Sequence, residues 1–244
     1  MRKPMRQLMR QIMVLRHIPV RYRIITVLMI QPFLAASQNH YMAGTLTQAN
    51  VDFKVNKLYK LNVKLESRQI FSELEPGEVK NNSIRYERTD LALVLTRKLS
   101  ADNTIGLGYL TRLEDGKLAH RFIQQFNHVR QLDAARLAHR VVTDQTFRSD
   151  EAAEYRLRYR LSAEKPFNGF QIDPKEFYGK LSNEYLGIWS DESPDLEIRA
   201  SVAGGYNASD DNKIELGFEY RINEFNKSIN AQQFWVTIAW YLSI

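Results

Sequence analysis

The chain has 244 residues, 34 Lys and Arg against 28 Asp and Glu, a net charge of +6 and no cysteine. The missing cysteine excludes disulfides, thiolate metal sites, a cysteine nucleophile and a lipid-modified N-terminal Cys. Arg2, Lys3, Arg6, Arg10, Arg16, Arg21 and Arg23 precede residue 38 with no acid among them, and the rest holds 27 basic and 28 acidic residues, which removes the main ground for a nucleic-acid partner.

The Arg-rich stretch is followed by Ile24-Ile25-Thr26-Val27-Leu28-Met29-Ile30 and then by Ala35-Ala36-Ser37. This is the order of a secretory signal peptide, predicted over 1–37 with cleavage after Ser37. The apolar run is shorter than the roughly 20 residues a spanning helix needs. A mitochondrial transit peptide is also Arg-rich and acid-free and ranks second. Met5, Met9 and Met13 leave a later start open.

Residues 38–48 read as a polar leading segment or a short first strand at Tyr41–Leu46, ahead of a barrel domain over 49–244. Val51, Phe53 and Val55 then alternate with Asp52, Lys54 and Asn56. Tyr59, Leu61, Val63 and Leu65 alternate with Lys60, Asn62, Lys64 and Glu66. Period two over eight residues predicts strand, not helix. Further strands are predicted at Thr89–Leu99, Ile105–Tyr109, His120–Val129, Leu137–Phe147, Tyr155–Leu161, Phe177–Trp189, Leu196–Tyr206 and Ile214–Ile222. Asp115-Gly116 predicts a tight hairpin turn. Ser100–Tyr109 and Ser209–Phe218 share S-x-D-N-x-I-x-L-G-aromatic.

The last stretch has Phe234, Val236, Ile238, Trp240, Leu242 and Ile244 at period two, one unbroken apolar face. It resembles the closing strand of an outer-membrane β-barrel, the strand read by the barrel-assembly machinery. Those strands usually end on an aromatic residue, where this one ends on Ile244. Eleven strands are clear and no amphipathic helix separates them. Outer-membrane barrels with both ends in the periplasm have even strand numbers, so twelve are expected, with ten the alternative. The repeated turn motif, on strands six apart, points to twelve as well. The fold class is all-β: an antiparallel up-and-down transmembrane barrel.

Alternation alone does not separate a membrane barrel from a soluble one. The export signal, the terminal strand and aromatics near predicted strand ends (Phe71, Tyr109, Phe147, Trp189, Tyr206) favour the membrane, as an interfacial girdle would require. Leu61, Val63, Leu65, Leu157, Tyr159, Ile214, Leu216 and Phe218 are then expected against lipid. Lys64, Arg156, Arg158, Arg160, Glu215, Glu219 and Arg221 are expected in the lumen. The Arg156/Arg158/Arg160 ladder reads either as an anion-attracting stripe or, preferably, as part of a salt-bridge network with glutamates of other strands.

Tyr155-Arg-Leu-Arg-Tyr-Arg-Leu161, His120-Arg-Phe-Ile-Gln-Gln125, Leu137-Ala-His-Arg140 and Leu181-Ser-Asn-Glu-Tyr-Leu186 resemble the strand phrases of the domain-of-unknown-function family numbered 2490. The resemblance covers most of residues 45–244. It implies a bacterial outer-membrane β-barrel and, since that family has no established activity, no catalytic residues.

The sequence offers no H-x-x-x-H, H-E-x-x-H or G-x-S-x-G, so neither a metal, a cofactor nor a catalytic set is expected. His120 and His128 share a face but are too far apart for joint ligation. Ala203-Gly204-Gly205 lies inside a strand and reads as a bend or a close contact. The expected function is a non-enzymatic outer-membrane barrel of structural or passive-transport role, with lipid and the assembly machinery as partners. A soluble exported barrel binding a small apolar ligand is the alternative, and a lipid-modifying enzyme is a more distant one.

Overall fold

The structure is a computed structural model that describes residues 40–74, 81–133, 135–149, 151–190, 194–227 and 230–244. The expected signal peptide and its cleavage point lie outside the described residues. Eleven strands and no helix occur among them. They are β1 (Tyr41–Lys54), β2 (Tyr59–Leu74), β3 (Arg85–Lys98), β4 (Asn103–Glu114), β5 (Lys117–Gln131) and β6 (Arg136–Arg148). The second half holds β7 (Glu154–Pro166), β8 (Glu176–Trp189), β9 (Asp195–Ser209), β10 (Asn212–Asn223) and β11 (Ala231–Ser243).

Every strand pairs antiparallel with its sequence neighbours, and β1 pairs with β11 to close the barrel. That closing pair is parallel, in register from Tyr41↔Gln232 to Asp52↔Ser243. The ladder runs to the last residue: the Ile244 N–H donates to the Asp52 carbonyl at 2.8 Å, and the Lys54 N–H donates to the Ile244 carbonyl at 2.8 Å.

Two expectations are corrected here. Among the described residues the strands number eleven, where twelve or ten were expected, because Tyr41–Leu46 and Val51–Val55 do not form two strands. The intervening Thr47-Gln48-Ala49-Asn50 contains no Gly or Pro to turn the chain, and it carries the alternation straight through. The boundary at 48/49 therefore falls inside β1. The barrel is also not antiparallel throughout. Even counts follow when both termini lie at one end, whereas a parallel closing pair puts Tyr41 and Ser243 at opposite ends. Odd-numbered membrane barrels do exist.

Turn chemistry fixes the hairpins. Asp115 and Gly116 both have positive φ, 50° and 73°, the pair a type I′ turn requires. At the β1–β2 turn the Asn56 side chain accepts from the N–H groups of Leu58 (2.8 Å) and Tyr59 (2.9 Å). At the β3–β4 turn the Ser100 hydroxyl accepts from the N–H groups of Asp102 and Asn103. The shared motif opens β4 and β10, five strands apart one way round the wall and six the other.

The two faces have opposite chemistry. Leu65, Leu157, Tyr159, Ile214, Leu216 and Phe218 are exposed on the outside, with Leu61 and Val63 half-buried on the same phase. On β11, Val236, Ile238 and Trp240 are exposed, as is Ile244 just beyond its end, and Phe234 and Leu242 are half-buried. Of the expected girdle, Phe71, Phe147, Trp189 and Tyr206 sit near strand ends, but Tyr109 is in the middle of β4. The interior holds two small apolar clusters, Leu46–Ile70–Trp235 and Ala92–Leu110–Ile123–Val142; otherwise it is largely polar.

The parallel closure has a direct test in this cysteine-free chain. Thr47 and Ile238 are register partners, so the double variant Thr47→Cys/Ile238→Cys should cross-link with a short bifunctional thiol reagent. Thr47→Cys/Phe234→Cys, displaced by four residues or about 13 Å, should not. Efficient cross-linking of the second pair would mean a different closing register.

Candidate functional site

Period-two side chains place every second residue of each strand inside the barrel. All seven charged residues expected in the lumen are there: Lys64, Arg156, Arg158, Arg160, Glu215, Glu219 and Arg221 line one interior cavity of about 260 Å³. They do not form one ladder-to-glutamate network. The structure divides them among separate clusters, and it recruits carboxylates that sequence reasoning did not single out.

The first cluster is centred on Asp144 of β6, which is fully buried. It lies opposite Ile123 of β5 and Arg156 of β7. Three guanidinia converge on its one carboxylate: Arg156 Nε at 2.6 Å, Arg121 Nε at 3.4 Å, and Arg158 Nη2. Arg121 Nε also donates to Thr146 Oγ1 at 2.8 Å.

Glu184 of β8 anchors the second cluster. Arg160 Nε reaches it at 2.7 Å and Arg199 Nη1 at 3.1 Å, and Arg199 also holds Glu197 at 2.6 Å. Register explains the grouping, since Arg140, Arg160, Glu184, Arg199 and Arg221 are successive cross-strand partners from β6 to β10. The Arg ladder thus pairs with Asp144 and Glu184, whereas Glu215 and Glu219 serve other cations.

Glu215 takes Lys180 at 3.0 and 3.1 Å, the Tyr178 hydroxyl at 2.9 Å and the Tyr241 hydroxyl at 3.2 Å. Tyr178 reaches it by lying across the strand at Gly205, where a Cβ would fall 2.2 Å from the ring. Of the glycine pair in β9, Gly205 therefore marks close packing, whereas a Cβ at Gly204 would meet nothing within 4 Å. Glu219 takes Arg221 Nε at 2.6 Å. On the facing wall Glu66 takes Lys64 at 2.8 Å and Arg68 at 2.7 Å, and Asp90 holds Arg112 through two bonds at 2.8 and 2.7 Å. Such forked Arg–carboxylate pairs give direction as well as energy.

Trp235 was legible only as part of the mixed face of β11. It is fully buried in the lumen, with the guanidinia of Arg68 and Arg221 at 5.4 and 5.6 Å from its ring. Gly44 makes the room, because a Cβ there would lie 2.7 Å from the indole and 2.2 Å from the Gln69 carbonyl.

No cluster of three or more metal-ligating side chains is found among the described residues. His120, His128 and His139 lie on the outer face: His120 Nδ1 meets the Tyr109 hydroxyl at 2.6 Å, and His139 Nδ1 meets the Tyr159 hydroxyl at 2.8 Å. His128 and His139 are cross-strand neighbours, rings 6.0 Å apart, a proximity that the register reveals.

Removing one partner of a buried ion pair leaves the other charge uncompensated, typically at roughly 3–5 kcal/mol. Asp144→Asn should therefore lower unfolding stability by about that much. Asp90→Asn should do less, because Arg112 retains Glu114 at 3.8 Å. Urea titrations of the two variants decide the ranking, and equal losses would remove Asp144 from its central place.

Among solved structures the chain is similar to the siderophore receptor PirA from Pseudomonas aeruginosa, at 11% identity and a TM-score of 0.30. The match covers 69% of this chain and 33% of that one, so it spans about a third of the receptor's length. No curated protein matches the chain. Residues 43–237 match the family described as "Protein of unknown function (DUF2490)", and the chain belongs to that family.

Proposed function

We propose that this protein is an outer-membrane β-barrel of structural or narrow passive-transport role, with no catalytic function. The observation that carries the reading is the inversion of polarity across the wall. Large apolar side chains are exposed on the outside, such as Leu216 at 62% and Leu157 at 45%, while carboxylates and guanidinia are buried inside. Water on the outside and charge on the inside would leave both faces badly solvated. A bilayer outside satisfies the first, and mutual pairing satisfies the second.

The outward polar groups fit the same setting, because they pair with one another. Gln124, Thr143 and Gln145 form a hydrogen-bonded trio at 2.8–3.1 Å, and Tyr109–His120 and His139–Tyr159 form pairs. Strands of 12–16 residues exceed the 9–11 that a tilted crossing needs. Trp240 donates from Nε1 to Asn212 Oδ1 at 2.9 Å near one end, a wet-and-dry position suited to an interface. A soluble barrel carrying an apolar ligand would need its apolar side chains inside, the reverse of this arrangement. On this reading the outward face of β11 is also what the assembly machinery recognises.

An arginine on the lipid face near the midplane costs roughly 2–4 kcal/mol. Leu157→Arg should therefore impair folding into lipid vesicles far more than Arg158→Leu, which leaves Asp144 two other arginines. The reverse ranking, or release of the native protein from membranes by a carbonate wash, would overturn the proposal.

A further inference from the structure

The charges of the lumen are unevenly placed. The carboxylates that reach the cavity, Glu66, Asp90, Glu215 and Glu219, belong to β2, β3 and β10. From β5 to β7 the cavity wall carries Arg121, Arg140, Arg156, Arg158 and Arg160 and no carboxylate. Asp144 and Glu184 are recessed behind these guanidinia, which they anchor from the sides.

Arg140 stands out within this wall. It makes no ion pair among the described residues, and its Nη2 donates only to Gln125 Oε1, at 2.7 Å. Its cross-strand partner is Arg160, and Arg158 lies one diagonal step away, opposite Val142. Three guanidinia are thus neighbours on one patch of wall. Each is held laterally by a different acceptor: Gln125 for Arg140, Asp144 for Arg158 and Glu184 for Arg160. The Nε atoms of Arg140 and Arg158 are both buried and have no hydrogen-bond partner among the described residues. Like charges held together repel, and a buried N–H without an acceptor is unfavourable. One ligand relieves both: a small anion with several oxygens.

We propose that Arg140, Arg158 and Arg160 form a binding site for a small soluble oxyanion of the phosphate or sulfate class inside the lumen. A tetrahedral oxyanion offers acceptors in several directions, so it can take an N–H from each guanidinium at once. The barrel wall separates the patch from the outside, so the ligand is a solute of the lumen rather than a lipid headgroup. The site does not depend on whether the lumen conducts.

The test uses the full chain folded in a phosphorus-free maltoside detergent, titrated with inorganic phosphate by calorimetry at ionic strength fixed with chloride. Saturable binding is expected, with sulfate competing. Arg140→Gln and Arg158→Gln should each weaken it by about tenfold or more. Arg97→Gln, an identical loss of charge on the outer face of β3, should leave it unchanged. Arg140→Lys keeps the charge without the fork and serves if Arg140→Gln does not fold; it should bind more weakly than the native chain. No saturable binding at fixed ionic strength would overturn the proposal. So would binding that Arg140→Gln and Arg97→Gln weaken equally, since only net charge would then matter.

Discussion

The constraint on which everything else rests is strand register. Side chains alternate with a period of two, so a slip of one residue exchanges the whole inner set of a strand for its outer set. On β7 such a slip would bring Tyr155, Leu157 and Tyr159 into the lumen and put Arg156, Arg158 and Arg160 outside. Register is therefore fixed by chemistry at both faces, and the tight turns at Asp115-Gly116 and Asn56 reinforce it locally. The parallel β1–β11 pair has no turn to set it. There the fit of Trp235 over Gly44, two directly paired residues, gives the closing ladder a position that a slip would destroy.

A barrel of eleven strands lies between those filled by side chains and those wide enough for a water channel. Its interior fits that middle position: two apolar clusters, a set of ion pairs and a cavity of about 260 Å³. Buried ion pairs contribute little net stability on their own, but breaking them is costly, so they select one arrangement over near alternatives. Sharing makes this sharper. Asp144 serves three arginines and Glu184 two, so each carboxylate couples three strands. The arginines outnumber the carboxylates within reach on the β5–β7 wall, and that local imbalance is what gives the lumen a chemical preference.

Much of the fold was legible in the sequence, because alternation is a local signal. The eleven strands and the two faces of β10 and β11 follow from period two, and the Asp-Gly hairpin from local turn chemistry. The strand count failed for a non-local reason. Even parity assumes where the termini lie, and although the turn-free Thr47–Asn50 argues for one continuous strand, nothing within it announces that β1 pairs in parallel with β11. The site was legible by half. Arg156, Arg158 and Arg160 stand out against Leu157 and Tyr159, so their phase is plain. Asp144 sits in Val141-Val142-Thr143-Asp144, and Glu184 in Leu181-Ser-Asn-Glu-Tyr-Leu186, where both phases carry apolar and polar residues. Only the register with β7 shows which phase is inside. Arg140 and Trp235 were hidden in the same way, and pairing arithmetic across strands is the signal that would have found them.

The proposed membrane barrel requires an outer face that meets hydrocarbon and an inner face that does not. Single cysteines placed in turn at 214–219 of β10, spin-labelled in lipid vesicles, measure it most directly through collisions with oxygen and with a polar nickel chelate. Labels at Ile214, Leu216 and Phe218 should favour oxygen, and those at Glu215, Gly217 and Glu219 the chelate, alternating residue by residue. Loss of that alternation, or its opposite phase, would contradict the account.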